Sequence, residues 1–249
     1  MKLKNKIAII TGSGNGIGKS TALELARQGA KVVVCDIDLQ SAKKVSKQIK
    51  NLGRDCFAIK CDVTNKKDVD RVVYRTIKEF KRIDILVNNA GLTLIKPLED
   101  CSEEDWDKII NVNLKSIFLF SKAVSPQMIK QKKGKIININ SIGGEVGLIN
   151  SSAYCASKGG VVNLTRELAM ELSPHNINVN GIAPGIIITR MTEDILNNEK
   201  TKNELLSNIP LNRFGSPEEI SDAVVFLASR DSNFISGHNL AVDGGWLTY

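Results

Sequence analysis

Three polar side chains in the second half of the sequence have the types and spacing of an acid/base site. Tyr154 and Lys158 are four residues apart, so they share one face of a helix, and Ser141 lies thirteen residues before the tyrosine. A phenol with an unperturbed pKa near ~10 is a poor base at neutral pH. We expect the lysine ammonium to lower that pKa, so that Tyr154 can give a proton to a carbonyl oxygen or take one from an alcohol. We expect the Ser141 hydroxyl to hold the same oxygen.

A glycine-rich turn near the N-terminus has the composition of a phosphate-binding loop. Residues 11–18 read TGSGNGIG. The dinucleotide fingerprint G-x-G-x-x-G does not fit, and the Walker form G-x-x-x-x-G-K-S lacks its first glycine because Ser13 stands there. Asp36 favours a dinucleotide, because an acid about twenty residues after the turn can bind a ribose 2′-hydroxyl. The alternative for Asp36 is a plain turn residue.

The same residues predict which dinucleotide binds. A carboxylate at Asp36 would repel a 2′-phosphate, and residues 37–39 contain no base. Asn15, rather than a basic residue, precedes the second glycine of the turn. NAD is therefore predicted in preference to NADP, with NADP a possible second cofactor.

The elements that must position these residues alternate between short β-branched runs and amphipathic helical stretches. The predicted strands are 7–10, 31–35, 56–61, 85–87, 135–140, 176–182 and 239–242, and the predicted helices are 16–28, 39–52, 66–80, 105–130, 152–172 and 217–228. Strands this apolar are buried on both sides. The prediction is an α/β, doubly wound, Rossmann-type parallel sheet of about seven strands, with helices on both faces and a single domain over 1–249. Residues 186–213 are expected to form a helical lid, with a surface helix pair as the alternative.

Composition excludes several other classes of protein. The net charge is +7, but the 34 basic residues are spread along the chain, so no nucleic-acid stripe is expected. Five cysteines without a C-x-x-C pair indicate a reducing compartment and no metal site, and we expect a cytoplasmic protein without a membrane span. The two histidines, His175 and His238, are predicted to be ordinary loop residues, which argues against a Ser-His-Asp hydrolase.

Taken together, these motifs resemble the short-chain dehydrogenase/reductase family over residues 6–243. The resemblance implies a catalytic tetrad of Asn113, Ser141, Tyr154 and Lys158, in which Asn113 helps to hold a water in a proton relay. It implies cofactor contacts at Gly12, Ser13, Asn15, Gly16, Ile17, Gly18, Asp36, Ile37, Asp62, Val63, Asn89, Ala90, Gly91, Tyr154, Lys158, Pro184, Gly185, Ile187 and Thr189. The family's fold and hydride chemistry are then the expectation for this chain.

The sequence leaves the substrate open. Leu92, Gly143, Glu145 and Met191 are the candidate substrate residues, and Glu145 is either a ligand for a polyol hydroxyl or a solvated loop residue. A small alcohol, polyol or sugar and its ketone rank first. A 3-oxoacyl carrier-protein reductase ranks second, with Lys132 and Lys133 as docking bases, and a non-enzymatic dinucleotide sensor ranks third. Helices 105–130 and 152–172 are apolar on more than one face, which predicts burial in a homotetramer like those of the family.

Overall fold

The short apolar runs form seven strands of one parallel sheet. The computed structural model describes residues 1–248, without the side chains of residues 194 and 195. The strands are β1 Ile7–Thr11, β2 Lys31–Asp36, β3 Cys56–Lys60, β4 Ile85–Asn88, β5 Gly134–Ile139, β6 Ile177–Pro184 and β7 Asn239–Val242. All neighbours are parallel, in the order β3-β2-β1-β4-β5-β6-β7. The chain changes direction across the sheet between β1 and β4, which is where an open α/β sheet forms its ligand crevice.

Helices cover both faces of this sheet. They are α1 Gly16–Arg27, α2 Leu39–Asn51, α3 Lys66–Phe80, α4 Glu103–Ile110, α5 Ser116–Gln131, α6 Ser152–Leu172, α7 Glu193–Leu196, α8 Glu199–Ser207 and α9 Pro217–Ala228. One apolar core joins the sheet to α1, α2 and α9, and a second joins it to α3, α5 and α6. The predicted doubly wound fold is confirmed. Within residues 1–248, no helix is both long and apolar enough to cross a membrane.

The predicted helix 105–130 is interrupted. Between α4 and α5 the backbone forms a π-helical segment, Asn111–Lys115, with Asn113 at its centre. A π segment widens one turn by a residue, so the apolar spacing on either side still reads as one helix. The prediction of a regular helix is therefore wrong at this point, which is the point that carries a predicted site residue.

Residues 186–213 contain α7, α8 and the turns around them. Their base is tied to the segment before α9 by a parallel bridge between Ile187 and Gly215. Two backbone hydrogen bonds complete the tie: Ile188 N–H donates to the Gly215 carbonyl at 2.9 Å, and Gly215 N–H donates to the Ile186 carbonyl at 3.0 Å. The segment is helical, as the sequence predicts; its action as a lid stays a prediction.

Candidate active site

The glycine turn joins β1 to α1 through contacts that only glycine permits. Gly12 and Gly16 have φ of 60° and 51°, in the left-handed region. A Cβ on Gly18 would lie 2.2 Å from the carbonyl oxygen of Gly12, so any larger residue would push the first turn of α1 away. The helix α1 begins at this turn, and the first N–H groups of a helix have no partner within it, so this N-terminus is a favourable place for a phosphate.

Ser13 and Asp36 hold this turn in place. The Ser13 hydroxyl is fully buried and lies 2.9 Å from the Ile10 carbonyl, to which it donates, so the side chain shapes the turn from behind. The Asp36 carboxylate accepts the Gly14 N–H at 2.8 Å and the Asp38 N–H at 2.9 Å. Asp36 is half-buried beside Ile37, which is 64% exposed. Asp36, the residue predicted to bind the ribose, is thus in contact with the predicted phosphate-binding loop.

The next two strand ends build the rest of the crevice floor. The Asn89 amide donates to the carbonyls of Thr11 and Gly12 at 2.9 and 3.0 Å. The Thr11 hydroxyl accepts the N–H groups of Asn89 and Ala90 at 2.9 and 3.0 Å. After β3, the carboxylate of Asp62 accepts the N–H and hydroxyl of Thr64. Val63 is buried in the adjoining core.

The far wall comes from the residues after β6. Gly185 packs so closely on Asp243 that a Cβ would lie 2.8 Å from the Asp243 Cα. Ile187 is buried, and Pro184 ends the strand. A Cβ on Gly16 would lie 3.5 Å from the Thr189 methyl carbon, so Thr189 faces the glycine turn across the crevice. The cofactor residues predicted from three separate parts of the chain therefore meet at one edge of the sheet.

Ser141, Tyr154 and Lys158 lie beside this crevice. Ser141 follows β5, and its hydroxyl accepts the Gly143 N–H at 3.1 Å, where a short 3₁₀ turn over Ile142–Gly144 begins. Tyr154 is partly buried near the start of α6, and Lys158 is buried one turn later. The Lys158 Nζ atom donates to the Ile139 carbonyl at 2.9 Å and lies 5.7 Å from the centre of the Tyr154 ring.

The electrostatics of this group differ from the prediction. Burial raises the pKa of the Tyr154 phenol, and the hydrogen bond with Ser141 offsets only part of that rise. Burial also lowers the pKa of Lys158, to about 8. The expected lowering of the phenol pKa is therefore wrong for the protein alone, because desolvation of the buried phenolate is the largest effect on this group. A phenol with a raised pKa carries its proton at neutral pH.

Asn113 connects the π segment to the crevice. Its amide oxygen accepts the Leu92 N–H at 2.8 Å, and its amide nitrogen donates to the Leu92 carbonyl at 2.9 Å. The same nitrogen donates to the Ser157 hydroxyl at 3.1 Å, and Ser157 in turn donates to the Tyr154 carbonyl. Gly91 fits into this corner, since a Cβ there would lie 3.9 Å from Lys158 Nζ. The Asn113 amide thus fixes the loop after β4 to the helix of Tyr154.

Sequence reasoning missed the partners that Asn88 has in a buried chain of amides under the site. Asn88 donates to Asn138 at 2.8 Å, and Asn138 donates to the Thr165 hydroxyl on α6 at 2.9 Å. Both asparagines are at most 3% exposed. Polar residues inside the apolar run of β5 were the available signal, because a buried amide is almost always partnered.

Of the four predicted substrate residues, Glu145 lies in a cavity that neither Ser141 nor Tyr154 lines. Its carboxylate accepts the Asn239 side-chain N–H at 2.6 Å, after the 3₁₀ turn has carried it towards β7. There it lines a cavity of about 430 Å³ together with Arg166 and His238. Neither Ser141 nor Tyr154 lines that cavity, and contact of Glu145 with the substrate stays a prediction.

The other three predicted substrate residues remain near the crevice. Leu92 is held by Asn113, Gly143 is bonded to Ser141, and Met191 is 48% exposed at the end of the turn after β6. A residue that sequence reasoning missed is Leu148, whose Cδ1 atom lies beside Gly143 and the Tyr154 ring. Leu148 lies in a loop, where no repeating pattern of apolar residues marks it in the sequence.

Known proteins share this combination of fold and site. Residues 12–247 match the protein family described as enoyl-(acyl carrier protein) reductase. The 3-oxoacyl-[acyl-carrier-protein] reductase FabG of Thermotoga maritima is 42% identical over 98% of this chain and 99% of its own length. The cyclopentanol dehydrogenase of Comamonas testosteroni is 39% identical over 98% of both chains.

A solved structure agrees with these relatives. A protein of Beutenbergia cavernae, provisionally assigned as an NAD(P)-dependent gluconate 5-dehydrogenase and crystallised with NADP at low occupancy, superposes with a TM-score of 0.95. It is 34% identical and the match covers 100% of this chain and 99% of that one. The chain belongs to the short-chain dehydrogenase/reductase family. It is an oxidoreductase of a family that uses NAD or NADP and acts on small molecules.

Proposed function

We propose that this protein interconverts a secondary alcohol and its ketone, with Tyr154 as the general acid/base. The observation that carries the proposal is the meeting of Ser141, Tyr154 and Lys158 at the crevice bounded by the glycine turn. A nicotinamide dinucleotide, when bound, supplies or accepts the hydride. The small alcohol, polyol or sugar class ranks first for the substrate.

The residues fit such a cofactor. The turn that contains Gly12, Gly16 and Gly18 lies at the N-terminus of the twelve-residue helix α1, which can bind a phosphate. A Cβ at Gly18 would collide with the backbone of this turn. Asp36 would hold the adenosine ribose, and the segment that ends with Thr189 would cover the other end. The remaining predicted contacts surround the same crevice.

Each catalytic side chain has a separate task. Ser141 holds the substrate oxygen through its hydroxyl. In the reducing direction Tyr154 gives its proton to the carbonyl oxygen as the carbonyl carbon gains the hydride, and the alcohol leaves. In the oxidising direction Tyr154, as the phenolate, takes the hydroxyl proton while the carbon loses a hydride. Lys158 stabilises the phenolate by its positive charge. Because its pKa is lowered to about 8, this stabilisation decreases as the pH rises through that value.

A direct test compares wild type with Tyr154→Phe on a panel of alcohols and ketones, followed by the absorbance of the reduced nicotinamide. We expect a fall in kcat of at least about 100-fold, the size of a lost general acid/base. Cofactor affinity should change little. Tyr74→Phe is the matched control, because Tyr74 is 67% exposed on α3. Turnover by Tyr154→Phe near the wild-type rate would contradict the assignment, and a wild type inert on all substrates would favour the sensor alternative.

We propose NAD as the preferred cofactor, on the basis of Asp36. Its carboxylate accepts the Gly14 N–H of the glycine turn, and a negative charge beside that turn would repel a 2′-phosphate. The Beutenbergia relative was crystallised with NADP, so both cofactors must be compared. Asp36→Ala should reduce the ratio of kcat/KM for NAD over NADP by about 10-fold, roughly 1.4 kcal/mol. The ratio is the informative quantity, since losing the Gly14 hydrogen bond affects both cofactors alike. Asp38→Ala is the control, and a wild type that prefers NADP would refute the proposal.

The carrier-protein reductase remains the second candidate because of the 42% identical Thermotoga relative. Lys132 and Lys133 are exposed just after α5 and could attract an acidic carrier. His175 stands where the resemblance calls for a further docking arginine. Including a 3-oxoacyl carrier-protein thioester in the panel decides between the two.

We also propose that the protein assembles as a homotetramer through α5 and α6. The support is their outward apolar residues, including Phe118 at 45% and Met170 at 82% exposure.

A further inference from the structure

Leu148 forms an apolar surface next to the reacting groups. A single point, the Cβ position of Gly143, lies 3.1 Å from the Leu148 Cδ1 atom and 3.2 Å from the Tyr154 Cε1 atom. The backbone N–H of Gly143 is itself bonded to the Ser141 hydroxyl at 3.1 Å. Leu148 and the Tyr154 ring therefore both pack against Gly143, the residue whose N–H is bonded to Ser141.

The position of Leu148 is fixed by its own backbone. Its N–H donates to the Cys155 sulfur at 3.4 Å, one residue after Tyr154 on α6. At the other end of the same loop, the Asn150 carbonyl accepts the Lys96 N–H at 2.7 Å. The loop is thus tied both to the catalytic helix and to the segment after β4, and Leu148 is partly buried between them.

Charged side chains close to this surface are engaged elsewhere. Glu145 is bonded to Asn239 in the separate cavity. Lys96 forms an ion pair with Asp105 at 2.7 Å. Lys158 donates to the Ile139 carbonyl and remains buried. A carboxylate or polyol at this site would have to give up water without gaining a charged partner from these residues, which is costly.

The loops after β4 and β6 also carry exposed apolar side chains. Ile95 on the loop after β4 is 54% exposed, and Ile188 after β6 is 57% exposed. Apolar side chains of this size are stabilised when a hydrocarbon covers them, in proportion to the area removed from water. Arg190, two residues after Ile188, is exposed and carries a positive charge.

We propose that Leu148 is a specificity-determining residue and that it selects an uncharged substrate with a hydrocarbon face beside the reacting carbon. This inference rests on the proposed function and narrows its substrate class. It assigns the polyol and sugar options of that class a lower kcat/KM than an apolar ketone of similar size.

The test uses three ketones that differ in polarity: cyclohexanone, dihydroxyacetone and acetoacetate. We expect the wild type to have a kcat/KM for cyclohexanone at least about 10-fold above either of the others. Leu148→Asn should lower the cyclohexanone value about 10-fold and raise that for dihydroxyacetone, a change of selectivity that general damage to the fold would not produce. Leu148→Met, which keeps volume and apolarity, should keep the wild-type order.

Matched controls separate the possible failures. Ile149→Asn makes the same chemical change at the next residue, which is 89% exposed, and should leave the selectivity unchanged. A wild type that prefers acetoacetate and loses that preference in Arg190→Ala overturns the inference while the proposed alcohol/ketone chemistry stands. A preference for dihydroxyacetone overturns it in the same way. A wild type that binds cofactor but reduces none of the three ketones, nor any other member of the panel, contradicts the proposed function itself.

Discussion

Tyr154 and Lys158 illustrate how burial changes chemistry that spacing alone suggests. Four-residue spacing on a helix predicted an ammonium that lowers the phenol pKa, and that pairing is present, with Nζ 5.7 Å from the ring centre. The surrounding protein removes water from both groups, which disfavours phenolate and ammonium alike. The pKa of Tyr154 is therefore raised and that of Lys158 is lowered to about 8. Reduction of a ketone needs the protonated phenol, and oxidation of an alcohol needs the phenolate, so the pKa of Tyr154 affects the two directions in opposite ways.

The buried lysine makes stability depend on pH in a definite direction. Lys158 has a folded pKa of about 8, against an ordinary value of 10.5, so between those pH values the unfolded chain binds more protons. The free energy of unfolding contributed by Lys158 therefore rises with pH across this window and is lost as pH falls through about 8. Wild type should become more stable relative to Lys158→Met by up to about 3 kcal/mol between pH 7.5 and 10.5.

Denaturant unfolding of both proteins at several pH values measures this difference. Lys135→Met is the comparison, because burial lowers the pKa of Lys135 to about 8 as well, next to Ser232 and far from the crevice. It should show the same pH trend while keeping turnover, whereas Lys158→Met should lose turnover. A stability difference that stays constant with pH would show that Lys158 is not held in a desolvated site.

At the level of elements, the π segment between α4 and α5 is the feature that positions the loop after β4. Its extra residue turns Asn113 so that the amide meets both the N–H and the carbonyl of Leu92. In a regular α-helix, a shift of one residue along the chain rotates a side chain by about 100° around the helix axis. Without the extra residue, the Asn113 amide would therefore point away from Leu92. The Asn113 amide therefore has a positioning role that can be tested separately from catalysis.

Replacing Asn113 with alanine should release this loop. Two hydrogen bonds to Leu92 and one to Ser157 would be lost, and each such bond contributes about 1 kcal/mol. We expect faster hydrogen exchange at the Leu92 amide and at least a 10-fold lower kcat, with helix content unchanged. Asn111→Ala, in the same π segment, is the control. Unchanged Leu92 exchange in Asn113→Ala would mean that other contacts fix the loop.

The sequence could predict the strands and the catalytic spacing because both are periodic or local. Ile7, Val33 and Ile137 belong to runs that are apolar on both faces, and such runs form parallel strands in many contexts. The π segment was not predictable, since an added residue leaves the apolar pattern on each side intact. The contacts of Glu145 with Asn239 and of Leu148 with Gly143 were not predictable for a related reason: they follow a short 3₁₀ turn, and no repeating pattern in the sequence records where such a turn directs a side chain.

The whole molecule has apolar surface that one chain does not bury. α5 directs Phe120 and Val124 into the core yet leaves Phe118 at 45% exposure, and α6 leaves Met170 at 82%. A helix with apolar residues on two faces is normally covered on two faces. Burial of α6 against a partner would also restrain the helix that carries Tyr154, which connects assembly with activity.

Phe118→Glu tests this connection. A carboxylate buried at an apolar contact between subunits costs several kcal/mol unless it finds a partner, which is enough to dissociate a modest interface. On a free monomer position 118 is in contact with water, so the new carboxylate stays hydrated and the monomer itself should stay folded. We expect light scattering to show a smaller species and kcat to fall with it. Leu52→Glu is the control, since Leu52 is 43% exposed at the end of α2 and should leave both quantities unchanged. A wild-type monomer that is fully active at assay concentration would refute both the tetramer and its link to Tyr154.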